Sequence, residues 1–235
     1  MLAPCSKETA ICNLYGSTKL EGIRKHWRPR NDLAWDGGVV APRKAGPFIR
    51  RARDDSSYSR ELVVGRWGLI PWFSKTADIK YATNNARSEE LTEKASYKHP
   101  WGRGQRCIIP ADWFDEPNWE TGKNEWWRFK RADGEPWGLA GLWNVWKDPA
   151  TGEEVESYTM LTLHANSHPL MKRMHRPDLD PATKMPLPFE QQDKRSVIAI
   201  EQADVDQWLA GTVQEASDLL RLSPVEVFDA GPRPL

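Results

Sequence analysis

Cys12 carries the most reactive ordinary side chain of this sequence and stands near its start, in "ICNLYGSTK". A thiol is the best nucleophile among the common side chains near neutral pH. A cysteine at a free N-terminus also offers an α-amine, whose ordinary pKa is about 7.7–8.0. Such an amine can form a Schiff base with an aldehyde, on which the thiol closes to give a thiazolidine. The alternative for Cys12 is the usual one for a lone cysteine, a small buried hydrophobic residue.

Asn85 and Arg87 form a second polar group, in "TNNARSEE". Asn85 could orient a substrate, or it could cap the helix predicted to follow it. Arg87 could hold a phosphate through its fork of donors, or it could be a solvated surface cation. The sequence leaves both pairs of alternatives open.

Two carboxylates end the third stretch, "RCIIPADWFDEP". If the strand continues to residue 116, alternation places Asp112, Phe114 and Glu116 on one face and Trp113 and Asp115 on the other. A carboxylate beside apolar side chains is a candidate for proton transfer. The alternative is a solvated strand edge, because a proline follows.

His175 is the notable histidine, in "HPLMKRMHRP". Its basic neighbours, which include Lys172, Arg173 and Arg176, could meet a nucleic-acid backbone. The imidazole could move a proton near neutral pH. The alternative is a surface histidine in a basic loop.

The elements that must position these residues begin with one helix. Ser17 or Thr18 is predicted to cap it, and Leu20, Ile23 and Trp27 recur at helical spacing before a proline. Residues 30–59 are rich in Gly, Pro, Arg and Asp and are predicted to form loops around one strand. Residues 88–98 are predicted to form an exposed helix.

The centre of the chain is predicted to be a mostly antiparallel, β-rich region. It consists of short aromatic or β-branched stretches separated by turn signals. The predicted strands lie in "ELVVGRWGLIPWF", "RCIIPADWF", "EWWRFKR", "WGLAGLWNVW", "SYTMLTLHA" and "RSVIAI". "SHPLMKRMHRP" is predicted to contain a short helix, and "QADVDQWLAG" and "VQEASDLLRL" one or two more.

Length, charge and composition narrow the class of protein. A chain of 235 residues, 39% of them hydrophobic, can bury one core, and we expect a single domain. Lys and Arg together number 33, as do Asp and Glu, so any binding to nucleic acid must use a local patch. We find no membrane-length apolar run and no secretory signal, which predicts a cytoplasmic protein. Three cysteines without a C-x-x-C pair argue against disulfides and a zinc site, and thirteen tryptophans offer platforms for bases.

Taken together, six stretches in this order resemble the SOS response-associated peptidase family, or SRAP domain. They are "CNLYGSTK", "RWGLIPWF", "NNARSEE", "RCIIPADWFDEP", "AGLW" and "MLTLHANSHPLMKRMHRP". The resemblance implies an α+β fold with one β-rich domain, a mainly antiparallel sheet or open barrel with peripheral helices. It implies binding to single-stranded DNA and a covalent thiazolidine crosslink with abasic sites, with self-processing and strand cleavage as associated activities. No metal or cofactor is implied.

The resemblance also assigns roles to residues. Its catalytic group falls on Cys12, Asn85, Glu116 and His175, and its DNA-phosphate contact on Arg87. Trp67, Trp72 and Trp113 are candidates for stacking on a base or wedging beside the lesion. Arg176 and Lys184 are candidates for contacting DNA phosphate. We expect a monomer, associated with the nucleoid when bound to DNA.

The sequence departs from the family pattern at its N-terminus, at the residue after Glu116 and in one loop. The family begins Met-Cys, whereas residues 1–11 precede Cys12 here, so the domain is expected over residues 12–235. Either the natural start lies later, or the Ile11–Cys12 bond is cleaved, or the extension persists and activity is lost. Pro117 follows the glutamate where relatives often have Trp, and "RPDLDPAT" is an inserted loop after His175.

Two other functions fit the same residues. A Cys-His peptidase acting on other proteins would use Cys12 activated by His175 and would not need a free α-amine. A non-covalent nucleic-acid-binding module would rely on tryptophans and arginines, with Cys12 structural.

Overall fold

A computed structural model describes residues 13–234 of the chain. Cys12 and the predicted extension 1–11 therefore lie outside the described residues. The described strands are β1 (Leu14–Ser17), β2 (Gly38–Val40), β3 (Ala45–Arg51), β4 (Arg60–Trp67), β5 (Asn85–Arg87), β6 (Arg106–Asn118), β7 (Glu125–Arg131), β8 (Trp137–Lys147), β9 (Glu154–His164), β10 (Arg195–Val197) and β11 (Phe228–Pro232). The described α-helices are α1 (Leu20–Trp27), α2 (Ala95–Gly102), α3 (Val205–Ala210) and α4 (Val213–Ser217).

Five of these strands close into a mixed barrel. β4 pairs with β9 in parallel. Antiparallel pairing joins β3 to β4, β3 to β6, β6 to β8 and β8 to β9, which completes the circuit. Closure leaves these five strands without a free edge between them. The predicted α+β class with one mainly antiparallel, β-rich domain is confirmed, and the barrel is closed rather than open.

Alternating side chains of the barrel strands supply two apolar clusters. On β6, Ile108 belongs to the cluster that also contains helix residues, whereas Cys107 and Ile109 belong to the other. On β9, Leu161 and Met160 divide in the same way. Each buried strand therefore packs on both faces, which explains its nearly continuous run of apolar residues.

The helices cover one outer face of the barrel. On α1 the buried residues are Ile23 and Trp27, as the helical spacing predicts. The predicted cap is wrong, because Lys19 is the N-cap residue and makes no side-chain capping hydrogen bond. Instead, the Thr18 hydroxyl donates to the Asp112 carboxylate at 2.8 Å. Arg28 ends the helix in the left-handed conformation, with φ of 48°.

The structure also differs from the sequence prediction in other elements. Residues 88–98 contain a 3-10 turn (Ser88–Glu90) and only the start of α2, rather than one exposed helix. Residues 30–59 contain two strands, β2 and β3, where one was predicted. β11 was not predicted, because "FDAGP" has little β-branched or aromatic content. In residues 13–234 no helix is long and apolar enough to span a membrane.

Candidate functional site

Glu116 and His175 form a buried hydrogen-bonded pair. Glu116 lies near the end of β6, and its Oε2 is 3.0 Å from Nε2 of His175. Both side chains are 0% exposed to solvent. The alternatives of a solvated strand edge for Glu116 and of a surface histidine for His175 are therefore wrong.

His175 has an unusual backbone conformation, with φ of 63°. A residue with a Cβ rarely adopts positive φ, and persists there only when its surroundings hold it. The His175 N–H donates to the Pro117 carbonyl at 2.7 Å. The buried Lys194 ammonium donates to the carbonyls of His175 at 2.7 Å and Met174 at 2.8 Å. Three hydrogen bonds thus hold the backbone of Met174 and His175 beside β6.

The second ring nitrogen of His175 faces the backbone of Arg195. The Arg195 N–H lies 3.5 Å from Nδ1 of His175. Because a backbone N–H can only donate, Nδ1 is the accepting nitrogen, and the proton of the neutral imidazole lies on Nε2. His175 is therefore oriented to donate this proton to the Glu116 carboxylate.

Asp115 points away from this pair and has other partners. Nε and Nη2 of Arg128 reach the two oxygens of Asp115 at 2.9 and 3.1 Å, and Arg233 lies at 3.5 Å. The Asp115 side chain is fully buried, so this two-pronged ion pair offsets the cost of burying its charge. The two neighbouring carboxylates therefore have different environments, as strand alternation predicts.

The beginning of the described chain lies next to Glu116. β1 pairs with β6 so that Leu14 is opposite Asp115 and Tyr15 is opposite Phe114. Tyr15 is fully buried, and its hydroxyl bonds to that of Tyr158 inside the barrel. Strand pairing and this anchor fix the segment that immediately follows Cys12.

Asn85 is the first residue of β5 and lies opposite Met160 of β9. Its backbone carbonyl accepts a hydrogen bond from the Tyr97 hydroxyl at 3.1 Å. The alternative that Asn85 caps a helix is wrong, because it lies in a strand and Arg87 is the residue that precedes the 3-10 turn.

Arg87 is exposed at the end of β5, with 44% of its side chain accessible. Its guanidinium pairs with Asp193, and lies 3.8 Å from Glu90. Both contacts are at the surface, where an ion pair contributes little to stability and can be exchanged for another anion. The arginine is therefore accessible to a phosphate.

The three tryptophans predicted to contact DNA differ in exposure. Trp72 is 60% exposed. Trp113 is half-buried, with the Arg128 guanidinium 3.5 Å from its ring centroid. Trp67 is fully buried, and its Nε1 donates to the Asn84 carbonyl at 2.8 Å. This burial contradicts the predicted stacking role of Trp67, which is instead part of the barrel core.

Arg176 and Lys184 lie on the loop between His175 and β10. Arg176 is exposed and its guanidinium is 5.5 Å from the ring centroid of Trp119. Lys184 is exposed, and its ammonium donates to the Pro181 carbonyl at 2.5 Å. Only Arg176 adjoins His175 in the chain, so the two cations are not one cluster.

A cavity of about 440 Å³ opens beside His175. Its lining residues are Trp119, Glu120, Lys172, Arg173, His175, Pro177, Phe189 and Lys194. Within residues 13–234 no three His, Cys, Asp or Glu side chains are grouped as a metal site would require. Sequence reasoning missed Lys194 and Arg195, whose contacts with His175 join positions twenty residues apart.

Comparisons with known proteins agree on one family. A model described as "SOS response associated peptidase (SRAP)" matches residues 19–230. "Abasic site processing protein HMCES" of Xenopus tropicalis is 35% identical over 136 residues, which are 48% of this chain and 40% of that protein. "Abasic site processing protein YoqW" of Bacillus subtilis (strain 168) is 37% identical over 123 residues, 52% of this chain and 53% of that protein. The matches therefore span about half or less of each relative.

A solved structure extends the similarity over nearly the whole chain. The crystal structure of a protein from Bordetella bronchiseptica has a TM-score of 0.81 and 34% identity, and the match covers 95% of this chain and 100% of that one. A phage-related protein of the same organism has a TM-score of 0.66 at 18% identity, which shows a shared fold alone.

Proposed function

This chain belongs to the SOS response-associated peptidase (SRAP) family, and we propose that it processes abasic sites in single-stranded DNA through a covalent bond to Cys12. The observation that carries the proposal is the buried hydrogen bond between Glu116 and His175 beside the strand that follows Cys12. Two relatives are named abasic site processing proteins.

The chain geometry limits where the reactive cysteine can lie. Cys12 is two residues before Leu14, and two residues of extended chain span at most about 7 Å. Leu14 is opposite Asp115, the neighbour of Glu116. The strand that follows Cys12 is therefore paired with the strand that carries the carboxylate.

Two new bonds, first C–N and then C–S, form in turn at the aldehyde carbon of the sugar. The uncharged α-amine of Cys12 adds to the aldehyde carbon of the ring-opened sugar, and loss of the aldehyde oxygen as water leaves a C=N double bond. The Cys12 sulfur then adds to that carbon, while the nitrogen takes up the proton that the thiol releases. The product is a thiazolidine, with one water released.

Each step needs a proton acceptor and a proton donor. Glu116 accepts protons from the amine and the thiol and returns one to the departing oxygen. His175 holds this carboxylate in place through the hydrogen bond from its Nε2. Asn85 holds the α-amine or the sugar in line. At the Schiff-base stage, before the ring closes, the same carboxylate removes a proton from the carbon next to the C=N carbon. The C3′–O bond then breaks, and the 3′ strand leaves with its phosphate.

The α-amine must be free for this chemistry. With residue 11 attached, the Cys12 nitrogen is an amide and cannot form a Schiff base. We propose that the Ile11–Cys12 bond is hydrolysed by the same site, water supplying the oxygen to Ile11 and a hydrogen to the new amine, unless the natural start lies later in the sequence.

Exposed side chains hold the DNA. Arg87 exchanges its surface ion pair with Asp193 for a phosphate, and Trp72 offers an open ring face to a base. Trp113, Arg176 and Lys184 are further contacts. Stacking without base-edge hydrogen bonds gives binding that tolerates many sequences.

The contacts of His175 favour this function over a Cys-His peptidase acting in trans. A peptidase of that kind needs one imidazole nitrogen on the thiol. In the described structure Nε2 faces Glu116 and Nδ1 faces the Arg195 N–H. The histidine is thus arranged as the partner of a carboxylate.

A crosslinking experiment tests the proposal. The protein is incubated with a single-stranded oligonucleotide that carries one abasic site, then denatured, and the gel is examined for a slower band. We expect a band that survives heating in detergent, and none with Cys12→Ala or with an oligonucleotide whose abasic sugar is reduced. A peptidase would instead cleave a peptide in trans, and a non-covalent module would bind DNA equally after Cys12→Ala.

A further inference from the structure

A second cavity, remote from Glu116, is lined by arginines and has no role in the function above. Its volume is about 620 Å³, and it is bounded by the end of β3, the turn between α2 and β6, Trp143 of β8 and the end of α3. Arg106, at the start of β6, lies ten residues before Glu116, which corresponds to about 33 Å of strand. The cavity is therefore at the opposite end of the barrel from the candidate site.

Four arginines contribute to this cavity: Arg51, Arg53, Arg103 and Arg106. Arg51 and Arg103 are exposed, and neither has an ion-pair partner among residues 13–234. Arg53 has only loose pairs, at 3.8 Å to Glu154 and 3.9 Å to Glu156. Three guanidinium groups at the cavity mouth thus have donors available for an anion.

The fourth arginine, Arg106, forms the floor of this cavity. Its residue is 2% exposed, and its Nε and Nη2 donate to the carbonyls of Trp208 and Gly211 at the end of α3. Nη1 is buried and has no hydrogen-bond partner in the described part of the chain. Burial lowers the pKa of this guanidinium. The charge of the Glu215 carboxylate offsets part of this effect, but the two side chains form no ion pair within 4.0 Å in the described part of the chain. A buried cation without a directly bonded anion is costly.

A glycine lies beside Nη1 at the cavity. Gly104 has φ of +67°, and a Cβ there would lie 3.5 Å from Nη1 of Arg106. Gly104 and Arg106 both line the cavity. Because the glycine has no side chain to contact the guanidinium, it leaves room for a close approach to this group.

The acidic residues of the cavity do not neutralise it. Asp54 and Asp55 also line it, but both carboxylates pair with Arg30, outside the cavity. Asp55 in addition accepts hydrogen bonds from the backbone and hydroxyl of Ser57, at 2.8 and 2.6 Å. Four arginines against two aspartates give the cavity lining an excess of positive charge, in a chain of zero net charge.

We propose that this cavity is a phosphate-binding site, formed by Arg51, Arg53 and Arg103 over the buried charge of Arg106. Guanidinium forks match the geometry of a phosphate, and charge-assisted hydrogen bonds are the strong ones. The phosphate belongs either to a small phosphorylated molecule or to a stretch of DNA that passes the far end of the barrel. Neither source depends on Cys12.

The test measures phosphate binding directly. Pyrophosphate is titrated into the full chain by calorimetry, with wild type, an Arg51→Gln/Arg103→Gln double variant and an Arg221→Gln control. Arg221 is 62% exposed and pairs with Asp204 outside the cavity. We expect saturable binding to wild type and the control, and affinity at least about tenfold weaker in the double variant. Exposed positions are chosen because replacing Arg106 would also remove the carbonyl contacts at the end of α3.

A second arm distinguishes the two sources of phosphate. Affinity for a single-stranded oligonucleotide with no aldehyde is measured in the same three proteins at two salt concentrations. A weaker affinity and a smaller salt dependence in the double variant would assign the site to DNA phosphate. An unchanged oligonucleotide affinity with loss of pyrophosphate binding would assign it to a small phosphorylated ligand. Equal pyrophosphate binding by wild type and double variant, or no saturable binding, would overturn the proposal, whatever the crosslinking experiment gives.

Discussion

The Lys194 ammonium holds the backbone carbonyl of His175 at 2.7 Å, in a conformation that few residues with a side chain adopt. The same ammonium holds the Met174 carbonyl at 2.8 Å. Lys194 is 7% exposed, and its burial lowers the pKa of its amine despite the nearby Asp178. Because the Lys194 ammonium donates hydrogen bonds to these two backbone carbonyls, it holds the backbone of His175 in its conformation.

Replacing Lys194 by Met should therefore disturb His175 without touching DNA. We expect Lys194→Met to lower the free energy of unfolding by about 1–3 kcal/mol, because two buried carbonyls lose their donor. The crosslinking rate should fall about 10- to 100-fold, since a small misplacement of a catalytic group has effects of that size. Single-turnover crosslinking and equilibrium binding to a reduced abasic oligonucleotide are the two measurements.

The control for this variant is Lys147→Met, at the exposed end of β8. It removes the same charge and should change neither quantity. Lys194→Arg keeps a cation at the carbonyls and should recover part of the rate. If Lys194→Met weakens DNA affinity while its crosslinking rate at saturating DNA stays normal, the positioning role is wrong.

Removing either member of the Glu116–His175 pair should slow the same step. We expect Glu116→Gln and His175→Gln each to lower the crosslinking rate about 100- to 10,000-fold, the usual range for a proton-transfer group. The double variant should be little worse than either single one, because the two residues act as a unit. Rates that multiply in the double variant would show that they act independently.

The sequence predicts most strands of the barrel, but it does not predict the contacts that support the candidate site. Apolar and β-branched stretches located β4, β6, β7, β8, β9 and β10, and the spacing of Ile23 and Trp27 located α1, because burial of one face decides these patterns. The sequence did not predict β1, β5, β11 or one strand of residues 30–59, since short strands and strands that contain Gly and Pro owe their pairing to neighbours far along the chain.

Within the site, motifs indicated the candidate catalytic residues but not the residues that hold them in place. Glu116 and Asp115 were correctly separated by strand alternation, but nothing local indicates that Arg128 partners Asp115 or that Lys194 holds His175. Trp67 was predicted to contact DNA because a tryptophan ring can stack on a base. Its Nε1 instead satisfies the Asn84 carbonyl inside the barrel, a contact that only tertiary structure defines.

The packing of Trp113 on β1 gives a prediction about a single glycine. A Cβ on Gly16 would lie 2.2 Å from Nε1 of Trp113, so the ring and the Arg128 guanidinium above it must shift. We expect Gly16→Ala to cost about 1–3 kcal/mol of unfolding free energy, as overpacking usually does. Gly231→Ala is the control, because no atom lies within 4 Å of its Cβ position. Urea denaturation of the two variants checks the difference, and equal midpoints would contradict it.

The contacts of Glu89 predict that the folded protein loses stability at acidic pH. Burial would raise the pKa of Glu89, but hydrogen bonds from Arg195 outweigh it and hold the pKa below the ordinary value of 4.5. A carboxyl with a depressed pKa in the folded state stabilises the fold above its unfolded pKa, and this contribution is lost as pH falls through the folded value. Melting temperature should therefore decline below about pH 4.5, and less steeply in Glu89→Gln. A parallel decline in both proteins would contradict the assignment.

The state of the Cys12 nitrogen gives the most decisive prediction. A chain that begins Met-Cys12, from which the methionine is removed, should crosslink abasic DNA, because its amine and thiol are both free. A chain that keeps residues 1–11 should not, because an amide nitrogen cannot form a Schiff base. Intact-mass measurement before and after incubation shows which form is present, and whether Glu116→Gln blocks cleavage at Ile11–Cys12. A crosslink made by a chain of unchanged full mass, or a DNA adduct mapped to any residue other than Cys12, would contradict the thiazolidine mechanism while leaving the fold and the arginine cavity untouched.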